Sequence, residues 1–316
     1  MKNVLITGIY GSCATYLAEF LLKNSNLNVQ GIARWHTDRK QVPTFFENIK
    51  VFEADLLDLS NLIRVFEEAK PDYIFHLAAV ANVQLGFKSP NAVLNNNING
   101  TLNLLEAIRV LRLNPVIQFC GTSEVYGQVS KEDIPIKENQ KIDPVNVYAI
   151  SKLTQEKLVK SYYLSYGIKS IITRTFGYIN PRRPDIFSSA FAKQIVEIEE
   201  GKRDMLLHGN LNSVRTLLDV RDVCRAYWLA AEKCQIGEEY NIGSEVPITV
   251  NEFLEKLKMH SKKTIISKVS EQLLRPVDVT LQIPSVEKFK ACTSFTPEYT
   301  LDQSVEFLLD HYRNKY

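Results

Sequence analysis

Thr7-Gly8-Ile9-Tyr10-Gly11-Ser12-Cys13-Ala14 is the stretch that decides the fold. It lies between the apolar run 4–6 and the amphipathic segment 16–22, as a turn between a β-strand and an α-helix does. Gly8 and Gly11 let the backbone turn tightly and approach a bound group, and the small Ala14 permits close helix–strand packing. Amide groups at a helix N-terminus favour anions. The stretch therefore predicts a dinucleotide site whose pyrophosphate meets the turn.

Short apolar runs alternate with amphipathic segments along the first half of the chain, which indicates βαβ units and a parallel sheet covered on both faces. After residue 178 the pattern loosens. The predicted fold class is α/β, with a Rossmann-type doubly wound parallel sheet in residues 1–178 and a smaller mixed α/β substrate-binding lobe in 179–316, interleaved with the last sheet elements. We predict strands at 4–6, 29–33, 49–52, 73–77, 116–120 and 171–173, and helices at 16–22, 103–111, 148–166, 250–260 and 301–312.

The composition restricts the classes of function. Of the 316 residues, 45% are hydrophobic and 23% are charged, and the net charge is only +2. This argues for a large core and against a nucleic-acid-binding or polybasic membrane surface. The N-terminus lacks a signal-peptide pattern, and no apolar run is long enough to span a membrane. The five cysteines are scattered, so we expect reduced thiols in a cytoplasmic protein, no metal site, and small-molecule partners.

Tyr148-Ala-Ile-Ser-Lys152 is the first candidate catalytic pattern. Residues at i and i+4 share one helix face, so the Lys152 ammonium is expected near the Tyr148 phenol and near a cofactor ribose. A neighbouring cation lowers a phenol's pKa, which would suit Tyr148 to act as a general base. The pattern alone occurs by chance in many helices. After a dinucleotide turn it favours redox catalysis.

The second candidate pattern, Thr122-Ser123-Glu124, directly follows a predicted strand. Ligands of open α/β sheets bind at the carboxyl ends of strands, so this triplet is expected near Tyr148. A hydroxyl could share the proton that Tyr148 takes, and a carboxylate could remove a C–H proton that a ketone has acidified. Helix capping or turn formation is the alternative role.

The end of the second strand bears on cofactor choice. Arg34 stands where an acid would bind a ribose 2′-hydroxyl, so we favour NADP over NAD, with a solvated surface arginine as the alternative. Ends of neighbouring strands supply further candidates, unless they are ordinary packing residues. The predicted cofactor-binding residues are Gly8, Tyr10, Gly11, Ala14, Arg34, Asp55, Leu56, Leu77, Ala78, Ala79, Tyr148 and Lys152.

Several motifs together resemble the extended short-chain dehydrogenase/reductase family, most closely the GDP-mannose 4,6-dehydratases and the GDP-4-keto-6-deoxymannose reductases. The resemblance covers nearly the whole chain. The motifs that carry it are Thr7-Gly8-Ile9, 16–22, 76–79, Thr122-Ser123-Glu124, Tyr148 with Lys152, Pro181-Arg182-Arg183, Gly209-Asn210-Leu211 and Leu274-Arg275-Pro276.

The resemblance implies roles for residues on both sides of the site. Thr122, Glu124, Tyr148 and Lys152 would be catalytic. Arg215 and Arg275 would contact the substrate pyrophosphate, and Asp278 would bind the nucleotide ribose. The full set of predicted substrate-binding residues is Ser123, Arg183, Asn210, Arg215, Arg275 and Asp278. Arg182 and Arg183 form a phosphate clamp or are solvated loop arginines. His76 and His208 are treated as a strand and a loop residue because neither has a second metal ligand at suitable spacing.

The implied reaction is that of a GDP-mannose-type nucleotide-sugar 4,6-dehydratase. Tyr148, aided by Thr122 and Lys152, would deprotonate the C4 hydroxyl as hydride passes to NADP. Glu124 would remove the C5 proton, water would leave from C6, and hydride would return to C6. The alternatives are an NADPH-dependent 4-keto-6-deoxy-sugar reductase or an epimerase, and a non-catalytic NADP-binding regulator.

The chain departs from these families where the sugar is expected. Ala81 stands in place of a usual Ser, Gly177 in place of an Asn, and Ala190-Phe191 in place of basic residues of the dehydratases. Family members commonly pair two long helices per subunit, and 104–105 with 153–163 could supply them. We therefore expect a homodimer, with a tetramer as the alternative.

Overall fold

The structure is a computed structural model that describes residues 1–37, 42–274 and 279–314. The strands are β1 (Lys2–Thr7), β2 (Leu27–Ala33), β3 (Lys50–Glu53), β4 (Tyr73–His76), β5 (Val116–Cys120), β6 (Ser170–Thr175), β7 (Tyr178–Ile179), β8 (Leu206–His208), β9 (Val214–Thr216), β10 (Leu218–Asp219), β11 (Glu239–Ile242), β12 (Pro247–Thr249) and β13 (Ser267–Val269). The helices are α1 (Ser12–Leu21), α2 (Leu59–Ala69), α3 (Val83–Lys88), α4 (Pro90–Leu94), α5 (Gly100–Val110), α6 (Val147–Tyr166), α7 (Phe187–Glu199), α8 (Val220–Lys233), α9 (Val250–Met259), α10 (Glu287–Thr293) and α11 (Leu301–Arg313).

The central sheet has the order β3-β2-β1-β4-β5-β6-β11 in the described part of the chain, and every neighbouring pair is parallel. Val4 of β1 pairs with Val29 on one side and with Tyr73 on the other. The strand order therefore reverses between β1 and β4, which creates a crevice at their carboxyl ends. The predicted α/β class with a doubly wound parallel sheet is confirmed.

Alternating residues of β1 show why the sheet is covered on both faces. Val4 and Ile6 belong to the core that α1 and α8 cover, whereas Leu5 belongs to the core under α2, α5 and α6. All three side chains are completely buried. Successive strand residues point to opposite faces, so an uninterrupted apolar run is what a strand between two helical layers requires.

The later part of the chain contributes to the sheet and also forms a core of its own. Strand β11 extends the sheet beside β6, and α8 packs on β5 and β6. Helices α7, α9 and α11 enclose a third apolar cluster, to which Ile195, Phe253 and Leu308 belong. The pairs β10–β7, β12–β9 and β13–β8 flank this region. The division at residue 178 stays a prediction.

The ends of α6 follow local signals in the sequence. The Asn146 side chain accepts a hydrogen bond from the Ala149 amide at the N-terminus, and Gly167, with φ 69°, ends the helix in the left-handed region. Asparagine as an N-cap and glycine after the last turn are the preferred residues at these positions. The predicted range, 148–166, therefore differs from the observed helix by a single residue.

Two other expectations bear on the class of protein. Within the described ranges, no helix combines the length and the apolarity that crossing a membrane needs. All five cysteines carry free thiols.

Candidate active site

A cavity of about 920 Å³ opens at the carboxyl ends of β1, β4, β5 and β6. Its other wall comes from the later part of the chain, including α7 and the segment 207–217. Among the predicted site residues, those that line it are Gly8, Gly11, Ala14, Leu77, Ala79, Thr122, Ser123, Glu124, Tyr148, Lys152, Arg183, Asn210 and Arg215. The tertiary structure thus brings residues from distant parts of the sequence into one cleft.

The glycine-rich turn forms a tight cradle at the N-terminus of α1. The Gly8 and Ile9 amides both donate to the Ile32 carbonyl, at 2.9 and 3.1 Å, and the Gly11 amide donates to the Gly8 carbonyl at 2.7 Å. Gly8 has φ +67°, and a Cβ there would lie 3.0 Å from the Ala78 Cα. Only glycine meets both demands. This cradle fits a dinucleotide pyrophosphate, with the α1 amides as donors.

Substituting Gly8 by Ala should destabilise the protein more than the same change at Gly167. Both residues have nearly equal positive φ, +67° and +69°, but nothing lies within 4 Å of a Cβ at Gly167. The Gly167→Ala variant therefore measures only the cost of placing a non-glycine residue at positive φ, about 1 kcal/mol. Gly8→Ala adds the clash with Ala78, so its unfolding free energy in urea should fall by a further 1 kcal/mol or more, roughly. Equal losses in the two variants would contradict this.

Several predicted cofactor residues lie outside the cavity. Arg34 is exposed directly after β2. The Asp55 carboxylate accepts a hydrogen bond from the Leu57 amide at 3.0 Å, and Leu56 is buried against Gly100. The Tyr10 ring packs on the Phe46 ring with centroids 5.9 Å apart. Ala78, the fifth of these residues, packs against Gly8. Its effect on a bound cofactor is therefore indirect, through the glycine-rich turn.

Lys152 presents a buried ammonium to the cavity. Its side chain is about 3% exposed, and its Nζ lies 4.3 Å from the Phe119 ring centroid. It makes no hydrogen bond or ion pair with any other described residue. Burial lowers the pKa of this ammonium to about 8. An ammonium without a protein acceptor fits a ligand hydroxyl, such as that of a ribose.

Tyr148 lies on the first turn of α6 and lines the same cavity. Burial raises the pKa of its phenol to about 12; Arg183 lowers it most, and a hydrogen bond with Thr122 acts in the same direction. We predicted that Lys152 would lower this pKa. In the protein alone the direction is the opposite, because loss of hydration outweighs Arg183 and the hydrogen bond with Thr122.

Ser123 and Glu124 lie in a 3₁₀ turn, Ser123–Tyr126, after β5, and Thr122 is the N-cap of this turn. The Thr122 hydroxyl accepts a hydrogen bond from the Glu124 amide at 3.3 Å. The Glu124 carboxylate accepts one from Asn146 Nδ2 at 3.1 Å. The alternative capping role of Thr122 is therefore real, and all three residues also line the cavity.

Two asparagines that the sequence analysis missed form hydrogen bonds with α6. Asn146 caps α6 with its Oδ1 and holds Glu124 with its Nδ2. Asn97, in the π-helical turn 95–99, donates to Ser151 Oγ at 2.9 Å and also pairs with both backbone groups of Val80. The polar run Asn95-Asn96-Asn97 was the available signal, since such a run inside an amphipathic helix needs a buried partner.

Asn146 allows its two roles to be separated. In Asn146→Ser the hydroxyl still caps α6, but no amide reaches Glu124, so stability should stay near that of the wild type while turnover falls about tenfold. In Asn146→Ala the helix cap is also lost, at a cost of about 1 kcal/mol. Thermal unfolding and kcat, measured on both variants, check this. Wild-type kcat in Asn146→Ser would show that the contact with Glu124 has no catalytic effect.

The predicted substrate residues have different surroundings. Arg183 Nη2 donates to the Ala81 carbonyl at 2.8 Å, and its Nε lies 3.3 Å from Asp185 Oδ1. Asn210 Nδ2 donates to Ser213 Oγ at 3.0 Å. The guanidinium of Arg215 donates to backbone carbonyls, that of Val214 among them. Their contacts with a substrate stay predictions. Arg275 and Asp278 lie outside the described residues.

The Arg182 side chain contacts α1. Its Nη1 donates to Thr15 Oγ1 at 3.0 Å, and its guanidinium carbon lies 3.8 Å from the Tyr16 ring centroid. It also pairs with Glu19 at 3.4 Å. The residue therefore ties its loop to α1, and a phosphate clamp formed with Arg183 stays a prediction.

The departures from the resembled families all line the cavity: Ala81, Gly177, Ala190 and Phe191. Gly177 has a structural reason, because a Cβ there would lie 2.6 Å from the Thr216 carbonyl oxygen. An asparagine could not occupy this position without moving the backbone of β9. The cavity wall is consequently more apolar here than the resemblance implies.

Neither histidine of the sequence analysis forms a metal site with other described residues. His76 lies between the hydroxyls of Thr7 and Thr101, each 2.8 Å from a ring nitrogen. Burial lowers the pKa of its imidazole to about 3, so the ring is neutral. His208 Nδ1 contacts the Gly209 carbonyl at 2.9 Å. Across the described ranges, no group of three or more His, Cys, Asp or Glu residues could hold a metal ion.

Residues 5–308 match the family model described as GDP-mannose 4,6 dehydratase. The chain belongs to this family. The family is part of the extended short-chain dehydrogenases/reductases, so the resemblance inferred from the motifs is confirmed. The chain is thus an enzyme of the nucleotide-sugar dehydratase/reductase group.

Relatives in this family carry more than one activity. The GDP-mannose 4,6-dehydratase of Yersinia enterocolitica is 30% identical over 350 residues, which cover 96% of this chain and 91% of that protein. The GDP-6-deoxy-D-mannose reductase of Pseudomonas aeruginosa is 29% identical over 316 residues, covering 99% and 98%.

Solved structures show the same fold over the full length. The structure of RMD from Pseudomonas aeruginosa, complexed with NADPH, has a TM-score of 0.88 at 25% identity and covers 100% of both chains. UDP-glucose 4-epimerase from Thermotoga maritima, with UDP-glucose, also has a TM-score of 0.88 at 25% identity and covers 99% of both chains.

Proposed function

We propose that this protein is an NADP-dependent nucleotide-sugar 4,6-dehydratase of the GDP-mannose type. The observation that carries the proposal is the position of Glu124. Its carboxylate lines the same cavity as Tyr148, Thr122 and Lys152, and Asn146 holds it there. Dehydration needs a base that acts on carbon in addition to the base that acts on the C4 hydroxyl, and this cavity contains a candidate for each.

The residues divide the proton transfers between them. Tyr148 takes the proton of the C4 hydroxyl, with Thr122 sharing its hydrogen bond. Lys152, whose ammonium faces the cavity, orients a ribose and keeps a positive charge near the phenol. Glu124 removes the C5 proton, which the C4 ketone has acidified, and passes a proton to the C6 hydroxyl, which leaves as water. When hydride returns to C6, C5 takes up a proton from solvent. Bound NADP would supply the hydride acceptor for C4, the hydride donor for C6 and a positive charge that favours the phenolate.

NADP rather than NAD is supported by Arg34. Its exposed guanidinium follows β2, the strand next to the glycine-rich turn, and no carboxylate occupies that position. A 2′-phosphate matches such a cation by charge-assisted hydrogen bonds. The Pseudomonas aeruginosa relative complexed with NADPH is consistent with this choice.

The second candidate is an NADPH-dependent 4-keto-6-deoxy-sugar reductase or epimerase. The Pseudomonas aeruginosa reductase matches the chain end to end, and 4-epimerases share its fold. The apolar wall at Ala81, Ala190 and Phe191 also suits a methyl group at C6. A third reading, a non-catalytic NADP-binding regulator, would need none of the acid–base groups described above.

One assay separates these functions. Purified protein is incubated with GDP-mannose and trace NADP or NAD, with the sugar followed by mass spectrometry and the nicotinamide by absorbance. Loss of one water per sugar without net formation of reduced cofactor is expected. No reaction with GDP-mannose, but stoichiometric NADPH oxidation with a GDP-4-keto-6-deoxy sugar, would replace the dehydratase by the reductase. NADP binding without turnover of either would support the regulator.

We further propose a homodimer formed through α5 and α6. Large apolar side chains on these helices face solvent in the single chain, among them Val110, Leu164 and Tyr166, with Leu164 72% exposed. Contiguous exposed apolar groups mark association surfaces. Light scattering should give twice the chain mass of 36.1 kDa, and Leu164→Glu should shift the protein toward monomer. A wild-type monomer at all concentrations would exclude this surface.

A further inference from the structure

A buried ion pair lies directly behind the reacting groups. Glu156 and Arg174 have side chains only 3% and 4% exposed. Arg174 Nε lies 3.1 Å and its Nη2 lies 3.0 Å from Glu156 Oε2. Burying two charges is costly, and such pairs add little net stability compared with apolar residues of similar size. A role in holding a defined geometry is therefore the better explanation for this pair.

Glu156 continues the active face of α6. It follows Lys152 by four residues and Tyr148 by eight, so all three share one side of the helix. A Cβ on Gly121 would lie 2.8 Å from Glu156 Oε1. The carboxylate thus packs directly on the backbone between β5 and Thr122.

Arg174 connects this helix to the 3₁₀ turn that carries Glu124. Its Nη1 donates to the Tyr126 hydroxyl at 3.0 Å and to the Glu138 carbonyl at 3.0 Å. Tyr126 is the last residue of the turn and is 1% exposed. One guanidinium therefore bonds to α6 on one side and to the Thr122–Tyr126 segment on the other.

The network closes through β11. The Tyr126 hydroxyl donates to Asn241 Oδ1 at 2.8 Å, and Asn241 Nδ2 donates to the Ile136 carbonyl at 2.9 Å. The backbone N–H of Asn241 donates to Glu138 Oε1 at 2.8 Å. Fully bonded buried networks have few alternative arrangements, because any displacement leaves a polar group unpaired.

We propose that Glu156 and Arg174 are positioning residues that hold the segment of Thr122 and Glu124 in register with the helix of Tyr148 and Lys152. The proposal rests on the proposed function in that both segments take part in one reaction. Neither Glu156 nor Arg174 lines the cavity, so they act through the residues that do. A misplacement of about 1 Å between reacting groups lowers a rate about 100-fold.

The test compares Glu156→Ala and Glu156→Gln with Glu199→Ala. The control residue Glu199 pairs with Arg313 through two hydrogen bonds, at 3.0 and 2.8 Å, and neither residue lines the cavity. Well below their melting temperatures, Glu156→Ala should lower kcat about 100-fold with KM changed less than about threefold. Glu156→Gln should recover part of kcat because its amide oxygen still accepts from Arg174. In Glu199→Ala the melting temperature should fall by a similar amount as in Glu156→Ala, but kcat should stay unchanged. Equal kcat in Glu156→Ala and Glu199→Ala would overturn the proposal.

A double variant shows whether a loss of kcat could come from misfolding instead of lost positioning. Glu156→Leu combined with Arg174→Met removes both charges and keeps the packing, so it should fold and be as slow as Glu156→Ala. Wild-type kcat in the folded double variant would contradict a positioning role.

Hydrogen exchange of the substrate-free protein separates this proposal from the assigned reaction. Glu156→Ala should speed amide exchange in 121–127 and leave 301–313 unchanged. If the wild-type protein turns over none of the nucleotide sugars, the proposed function fails, and this measurement alone decides the present inference: unchanged exchange in 121–127 overturns it.

Discussion

Replacing Tyr148 by Phe is expected to lower turnover about 10²- to 10⁴-fold, the usual contribution of a positioned general base. The phenyl ring keeps the packing of the first turn of α6, so the loss is confined to the hydroxyl that Thr122 bonds. Cofactor affinity should change little because Lys152 and the glycine-rich turn remain. Product formation gives kcat, and titration calorimetry with NADP gives the dissociation constant.

Tyr162→Phe is the matched control for this variant. Tyr162 lies on the same helix and bonds to Glu106 outside the cavity, so its turnover should equal that of the wild type. If Tyr148→Phe and Tyr162→Phe were equally active, Tyr148 would have no part in the chemistry. A large loss of NADP affinity in Tyr148→Phe would instead assign the hydroxyl to cofactor binding.

Replacing Glu124 by Gln should stop dehydration but permit oxidation at C4. The amide oxygen of Gln still accepts the hydrogen bond from Asn146, so the side chain stays in place without its basicity. We expect a fall of about 10²- to 10⁴-fold in dehydrated product. In a single turnover with GDP-mannose and NADP, reduced nicotinamide should persist instead of being consumed, and absorbance records it. In deuterated water the wild-type product should carry deuterium at C5.

The same variant decides between the two leading functions. A reductase needs Tyr148 as a proton donor but no base at C5, so Glu124→Gln should then reduce a 4-keto-6-deoxy sugar within about threefold of the wild-type rate. Dehydration by Glu124→Gln at the wild-type rate would remove Glu124 from the proposed mechanism. Glu124→Asp, which keeps the charge on a shorter side chain, should recover part of the activity.

The catalytic candidates were predictable because each depends on a short local pattern. The glycine-rich turn, the Tyr148–Lys152 spacing and the triplet at Thr122 each combine a residue type with a position at the end of a strand or in a helix. Parallel strands bring their carboxyl ends to one edge, so these patterns were expected to converge, and they line one cavity.

Partners that come from distant segments were not predictable. The sequence offers no reason why Arg182 should bond to Thr15 while Arg183 turns toward Ala81, since both stand in the same short loop. Asn146 caps α6, and its second contact, with Glu124, depends on how β5 and α6 pack. In the sequence, Gly177 is a departure from the family without a visible reason. The structure supplies the reason, because the Thr216 carbonyl lies where a Cβ would be.

Periodicity and turn chemistry were sufficient for the α/β class, the strand segments and the glycine cradle, because these depend on interactions between residues close in the chain. The tertiary structure decided the electrostatics of the site. The pKa of Tyr148 rises and that of Lys152 falls because packing removes water from both groups, and the amount of water removed depends on segments far away in sequence. The pairing of Glu156 with Arg174 has the same origin: α6 and β6 must pack before two buried charges can meet.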